Sequence, residues 1–208
     1  RECGFMLEEG ALPWQIDRAI YNFGFPMGPY RMGDMAGLDI GWRNRKAKFG
    51  SLTPREQKNN LLDKICEMGR YGQKTGSGFY KYDEKRNATP DPMIEELIIN
   101  HSKEVGIARR TLTDQEIIER AIYSMINEGA KILEEGIAAR PLDIDVVWLY
   151  GYGFPVYLGG PMFYADTVGL KKVYDAVLKY RDSVGAEYWT PAPLLEKLAN
   201  EGKGFYSK

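Results

Sequence analysis

Gly24-Phe25-Pro26-Met27-Gly28-Pro29 stands near the start of the chain, and Gly153-Phe154-Pro155, followed by Gly160-Pro161, stands near its end. Around them the same landmarks are written twice. Leu7-Glu8-Glu9-Gly10 returns as Leu133-Glu134-Glu135-Gly136, and Ile16-Asp17 returns as Ile144-Asp145. Asp34, Gly37 and Leu38 return as Asp166, Gly169 and Leu170. Leu61-Leu62-Asp63-Lys64 returns as Leu194-Leu195-Glu196-Lys197. Gly76-Ser77-Gly78-Phe79-Tyr80 returns as Gly202-Lys203-Gly204-Phe205-Tyr206. The order is kept, and the separation drifts only between 126 and 133 residues. Leu-Glu-Glu-Gly is a common helix ending, but Gly-Phe-Pro and Gly-x-Gly-Phe-Tyr are not generic. The pattern therefore reads as a tandem duplication. The first copy spans residues 1–82 and the second 111–208, with 83–110 as a linker that carries a helix.

The punctuation inside each copy is helical. Thr113-Asp114-Gln115-Glu116 is a capping-box pattern, followed by an apolar stripe through Ile117, Ile118, Ala121, Ile122, Met125, Ile126 and Leu133. Gly136 suits the C-terminal stop of that helix. Pro13 and Pro141 suit first helical turns, as do Pro29 and Pro161 after their glycines. Thr53-Pro54-Arg55-Glu56 predicts one helix running to about Met68. Residues 83–92 are polar and bear prolines, as linkers do, and 93–104 reads as a helix with Ile94, Leu97 and Ile98 on one side. No stretch alternates with period two for long; Lys81-Tyr82 and their neighbours read as briefly extended.

Composition narrows the function classes. Hydrophobic content is 44%, charged content 27% and net charge −1, so neither a nucleic acid nor an anionic membrane is the expected partner. No apolar run approaches the ~20 residues of a membrane span. Two cysteines, Cys3 and Cys66, make no disulfide framework, and no Cys-x-x-Cys or His-rich tract suggests a metal. One histidine, His101, rules out most His-paired metal or triad chemistry and reads as a surface or satisfied helix histidine rather than a general base. Arg1-Glu2-Cys3-Gly4 lacks an initiator methionine and a signal-peptide shape, so the sequence reads as part of something longer.

Three segments carry a resemblance. They are Gly24 to Pro29 with its Gly-Phe-Pro-Met-Gly-Pro, then Asp34-Met35-Ala36-Gly37-Leu38-Asp39, and finally Tyr71-Gly72-Gln73-Lys74-Thr75-Gly76-Ser77-Gly78-Phe79-Tyr80. They resemble the C-terminal domain of the 3-hydroxyacyl-CoA dehydrogenase family. The resemblance implies an all-α fold of two tandem helical domains, of the 6-phosphogluconate dehydrogenase C-terminal-like type, packed as a pseudo-dimer. Tandem copies are similar to the multifunctional enzymes of fatty acid β-oxidation in peroxisomes or bacteria. There an enoyl-CoA hydratase part and an NAD-binding Rossmann domain come first. The implied reaction oxidises an L-3-hydroxyacyl-CoA with NAD through a His–Glu pair in the Rossmann domain. Peroxisomes are the implied location, with bacterial cytoplasm as the alternative.

The chain itself carries no Gly-x-Gly-x-x-Gly after a predicted strand, so no NAD site and no catalytic residue are expected in it. What remains is one wall of the acyl-CoA cleft. The resemblance implies Phe25, Pro26, Met27, Gly28, Pro29 and Met32 as substrate-binding residues, with Gly28 allowing close backbone approach. Copy two carries three extra residues in the matching loop, so copy one is the expected substrate wall. Residues kept in both copies, Asp17 and Asp145, Asp34 and Asp166, read as structural carboxylates at helix caps or between helices, and the closing aromatics as docks for the chain end. Lys74 reads as solvated rather than as a ligand to a CoA phosphate. The rival readings are a non-catalytic helical binding or dimerisation module that shares the fold, and a dehydrogenase acting on a small 3-hydroxy acid.

Overall fold

The structure is a computed structural model that describes residues 1–207. The chain divides into two compact units, Arg1–Asn22 with Met27–Ile117, and Phe23–Pro26 with residues 118–207.

The first unit is mostly helical. Its helices are α1 (Glu2–Glu9), α2 (Pro13–Phe23), α3 (Pro29–Ala36), α4 (Leu38–Ala47), α5 (Pro54–Lys58), α6 (Leu61–Glu67) and α7 (Pro92–Glu104). Phe5, Met6, Leu7, Ile16, Ile65, Ile94 and Ile98 are fully buried and form its core. Burying each such side chain stabilises the fold by about 1.5–3 kcal/mol. The Thr53 capping box is present in both directions: the Thr53 hydroxyl accepts from Glu56 N, and Glu56 accepts from Thr53 N. The helix it opens does not reach Met68. It stops at Lys58 and restarts at Leu61, because Asn59 and Asn60 leave the helical region (ψ 76° and 22°). Asparagine competes with the backbone for hydrogen bonds and favours such breaks.

The predicted linker is folded onto this unit. β1 (Tyr80–Tyr82) and β2 (Ala88–Pro90) pair antiparallel, with Tyr80 opposite Pro90, and are the only strands among the described residues. Asp83 closes the turn by accepting from the Asn87 amide at 2.8 Å. Asp91, 1% exposed, then caps α7 through Met93 N and pairs with Arg70 at 2.7 Å. Arg70 donates twice more to the Gly78 carbonyl. Composition registers a polar stretch; it does not register that an arginine about twenty residues upstream waits for the aspartate. Along α7, Ile94 and Ile98 face α1, and His101, buried, meets the Glu8 carboxylate at 2.9 Å. The histidine is therefore a core residue held by Glu8 through Nε2, while its Nδ1 has no hydrogen-bond partner among the described residues. Arg55 meets the same carboxylate at 3.1 Å.

The second unit contains α8 (Asp114–Glu134), α9 (Pro141–Gly151), α10 (Pro161–Val168), α11 (Leu170–Ser183), α12 (Ala186–Trp189) and α13 (Pro193–Glu201). The Thr113 hydroxyl accepts from Glu116 N at the start of α8, and Gly136 takes the left-handed φ of 69° just past its end. Ile126, Val173, Val177, Tyr180, Trp189 and Leu195 form the core. Asn127 stitches it by donating to Thr190 O and accepting from Ala192 N. Helix α9 carries apolar side chains on its exposed as well as its buried side. It buries Ile144 and Asp145 but leaves Leu142, Val146, Val147 and Tyr150 exposed.

Candidate functional site

Each unit contains the same carboxylate device. In the first, Asp17 accepts from the N–H groups of Tyr30 and Arg31, both at 2.9 Å, at the start of α3. In the second, Asp145 accepts from Met162 N at 2.7 Å and Phe163 N at 3.0 Å, at the start of α10. Two of the orphan donors of each helix start are thus met by a residue on the preceding helix. Deeper along the chain, Asp34 accepts from Phe79 N and Tyr80 N, and Asp166 accepts from Phe205 N and Tyr206 N.

The closing tyrosines connect the pairs. Tyr80 gives its N–H to Asp34 and its hydroxyl to Asp17, the latter at 2.7 Å. Tyr206 gives its N–H to Asp166 and its hydroxyl to Asp145, at 2.6 Å. The glycines of the two motifs are spacers for these carboxylates. A Cβ at Gly28 or Gly160 would collide with Asp17 or Asp145, and one at Gly78 or Gly204 with Asp34 or Asp166. Gly28 therefore keeps its place for the aspartate beside it. Gly28→Ala is expected to lower the unfolding free energy by about 2–3 kcal/mol through overpacking. Gly50→Ala, with nothing within 4 Å of its Cβ, should change it by less than about 0.5 kcal/mol. Equal effects in urea titrations of the two variants would reject this role.

Burial raises the carboxyl pKa values of Asp17, Asp34 and Asp145 above the ordinary range, against the pull of their hydrogen bonds. Burial and the Asp17 charge push the Tyr80 phenol far above its ordinary value, so it remains a donor. These are features of a rigid scaffold, with each carboxylate enclosed by its own unit.

The loop implied as the substrate wall is divided. Phe25 and Pro26 belong to the second unit, and Met27, Gly28, Pro29 and Met32 to the first. Gly24-Phe25-Pro26 packs against Gly153-Phe154-Pro155. The Phe25 and Phe154 rings stand edge to face at 5.5 Å, Pro26 lies over Gly153, and Pro155 lies over Gly24. Phe23 completes this cluster at 5.9 Å from Phe154, and the Tyr157 hydroxyl donates to Phe23 O. Phe25 is thus a packing residue, half-buried among aromatics. Met27 is half-buried, and Met32 is 50% exposed on α3. Lys74 is half-exposed and paired with Asp39. Among the described residues no group of three or more His, Cys, Asp or Glu side chains could hold a metal ion, and no helix is long and apolar enough to cross a membrane.

Sequence reading missed one feature of this wall. Pro29 also borders a groove of about 570 Å³ within the first unit. The small residues Gly33, Gly37 and Gly41, four apart, were its only signal.

The family profile described as 3-hydroxyacyl-CoA dehydrogenase, C-terminal domain, matches residues 1–82 and 117–206. The peroxisomal bifunctional enzyme of Danio rerio is 47% identical over 97% of this chain, which spans 30% of that protein. The peroxisomal bifunctional enzyme of Homo sapiens is 45% identical over 95% of this chain and is spanned to 29%. The crystal structure of the dehydrogenase part of multifunctional enzyme 1 from C. elegans superposes with a TM-score of 0.72 at 33% identity. That alignment covers 92% of this chain and 43% of that one. The chain therefore spans under a third of the length of these two bifunctional relatives, and by the profile match and these identities it belongs to the 3-hydroxyacyl-CoA dehydrogenase C-terminal domain family.

Proposed function

We propose that this chain is the helical part of an NAD-dependent L-3-hydroxyacyl-CoA dehydrogenase of fatty acid β-oxidation, within a bifunctional enoyl-CoA hydratase/dehydrogenase of peroxisomes. The observation that carries this reading is the family match over most of the chain, together with relatives named as peroxisomal bifunctional enzymes. In this role the chain supplies one wall of the acyl-CoA cleft. Met27, Pro29 and Met32 offer the apolar surface, while Phe25, Pro26 and Gly28 hold the loop in shape. NAD belongs to the remainder of the parent. A dinucleotide site needs a strand, a glycine-rich turn and a helix N-terminus in series. Here the only strands among the described residues form a short antiparallel hairpin, so these residues do not fit the cofactor.

Residues 1–82 and 111–208 are read as two copies of one domain that act as an internal pseudo-dimer. The carboxylate device that recurs in them, Asp17 with Tyr80 and Asp145 with Tyr206, supports the reading as copies.

The purified 208-residue chain is expected to show no NADH-linked reduction of acetoacetyl-CoA, whereas the full-length parent reduces it. Turnover by the isolated chain would overturn the assignment of the chemistry to the missing part. A full-length parent inactive on acyl-CoA thioesters would favour the non-catalytic module instead.

A further inference from the structure

Residues Trp42 to Phe49 read Trp-Arg-Asn-Arg-Lys-Ala-Lys-Phe, with four cations, and no acidic residue stands between Asp39 and Glu56. The chain's net charge of −1 averages this segment away. Helix α4 supplies its frame. Leu38, 7% exposed, and the Arg45 side chain, 14% exposed, take the inner side. At about 100° per residue, Ile40, Arg43 and Ala47 fall together on the opposite side, and all three are exposed. Lys46, Lys48 and Phe49 are exposed at its end, and so is Lys58 at the end of α5. The turn after α4 has a fixed shape. The Gln57 side-chain amide donates to the carbonyls of Phe49 and Leu52, at 3.2 and 3.0 Å, and the Ser51 hydroxyl donates to Lys48 O at 2.8 Å. Gln57 directly precedes Lys58, so these bonds bring the third lysine to the same end of the unit.

The cations behind this surface are engaged: Arg45 with Asp63, Arg55 with Glu8, and Lys64 with Glu104. Lys46, Lys48 and Lys58 pair with no carboxylate among the described residues. Arg43 lies 3.7 Å from Asp39 with its side chain 79% exposed, and Asp39 is also held by Lys74. Like charges gathered on one surface repel, and an anionic surface relieves that repulsion. Apolar side chains lie among them: Ile40 is 56% and Phe49 49% exposed. Trp42 is no open ring for stacking a base, because Lys46 stands 3.5 Å over it and Tyr71 packs beside it at 6.3 Å. Lysines around an exposed aromatic and an exposed aliphatic side chain match the interface of an anionic bilayer. Such an interface attracts the cations and takes in the apolar tips.

We infer that the surface formed by the end of α4, the turn after it and Lys58 docks the chain on an anionic phospholipid bilayer, with Lys46, Lys48 and Lys58 over the headgroups and Phe49 in the interface. The contact is peripheral, since no helix among the described residues is long and apolar enough to cross a membrane. It belongs to the first unit alone and involves neither acyl-CoA nor NAD, so it stands apart from the dehydrogenase reading.

The test is co-sedimentation of the 208-residue chain with vesicles of phosphatidylcholine, alone or with one third phosphatidylserine. Binding to the anionic vesicles is expected to exceed binding to the neutral ones by more than about tenfold. It should vanish at about 1 M salt, where the Debye length is about 3 Å. Lys48→Ala should weaken binding about fivefold, the usual contribution of one lysine near such a surface. Joint reversal by Lys46→Glu, Lys48→Glu and Lys58→Glu should weaken it more than about a hundredfold. Phe49→Ala should weaken it severalfold with the salt dependence unchanged. Reversal of the exposed Lys171, Lys172 and Lys179 on α11 alters the net charge equally and should leave binding as in wild type. Circular dichroism checks that the variants fold, and Lys48→Glu with Lys58→Glu serves if the triple variant does not. Equal binding to both kinds of vesicle, wild-type binding by the folded charge-reversed variant, or equal weakening by the α11 reversal would overturn the proposal. So would tighter binding of single-stranded polyuridylate than of vesicles, which would make this surface a nucleic-acid contact.

Discussion

Asp34→Ala is expected to lower the unfolding free energy of the first unit by about 3–4 kcal/mol, since it strands several buried donors at once. Asp34 is fully buried and accepts from Phe79 N, Tyr80 N and the Tyr82 hydroxyl, at 2.9, 3.0 and 2.9 Å. Removing the carboxylate also removes a desolvated charge, which keeps the loss below the sum of three stranded donors. Asp166→Ala should cost less, because Asp166 is only half-buried, although it holds the matching amides of Phe205 and Tyr206. Urea unfolding followed by circular dichroism checks both. A loss under about 1 kcal/mol for Asp34→Ala would mean that this network does not hold the segment from Phe79 to Tyr82.

The same carboxylates set a pH dependence. Burial raises Asp17, Asp34 and Asp145 above their ordinary values. In the folded chain each holds its proton more tightly than in the unfolded chain. Their contribution to stability is therefore full below about pH 4, the unfolded value. It is lost as the pH rises through their raised folded values. Asp34→Asn cannot titrate at that position. The stability margin of wild type over Asp34→Asn should narrow as the pH rises from about 4. A margin that widens over that interval would contradict the direction of the shift.

Arg70→Met is the second large effect, expected at about 3–5 kcal/mol, the usual result of removing one member of a buried ion pair. Arg70 is 8% exposed and Asp91 1%, and their contact is 2.7 Å. The substitution also strips two hydrogen bonds from the Gly78 carbonyl. Lys81 reaches Asp91 at 3.4 Å but is itself mostly exposed, so it compensates little. Arg70→Lys should fall between, because an ammonium cannot span Gly78 and Asp91 with a planar fork. A loss below about 1 kcal/mol for Arg70→Met would show that the hairpin and α7 do not depend on this clamp.

Particular residues show where sequence reading succeeds. Proline after glycine announces α3 and α10 because it lacks the N–H that a first turn would orphan. The repeated aspartates were recognisable as structural since each recurs in both copies, in the same order among the same glycine and tyrosine signals. Reading failed where a local pattern had competition. The Thr53 box promised a helix to about Met68, yet Asn59 and Asn60 end it early. Residues 83–92 looked like a linker, yet Arg70 and the hairpin bind them to the first unit. For Phe25 and Pro26, implied by the resemblance as part of a substrate wall, the sequence did not show that they pack on the second Gly-Phe-Pro motif.

The sequence by itself determined the helical class, the two sets of matching landmarks and the family, because these rest on periodicity and on residue types with one physical use. Tertiary structure alone decided where each carboxylate finds its donors, which aromatics pack and which methionine stays exposed. It also decided that the Tyr30 hydroxyl and the Asn59 amide nitrogen are buried without a hydrogen-bond partner among the described residues. Those outcomes depend on residues brought together from 13 to 134 positions apart, and no local pattern encodes such pairings.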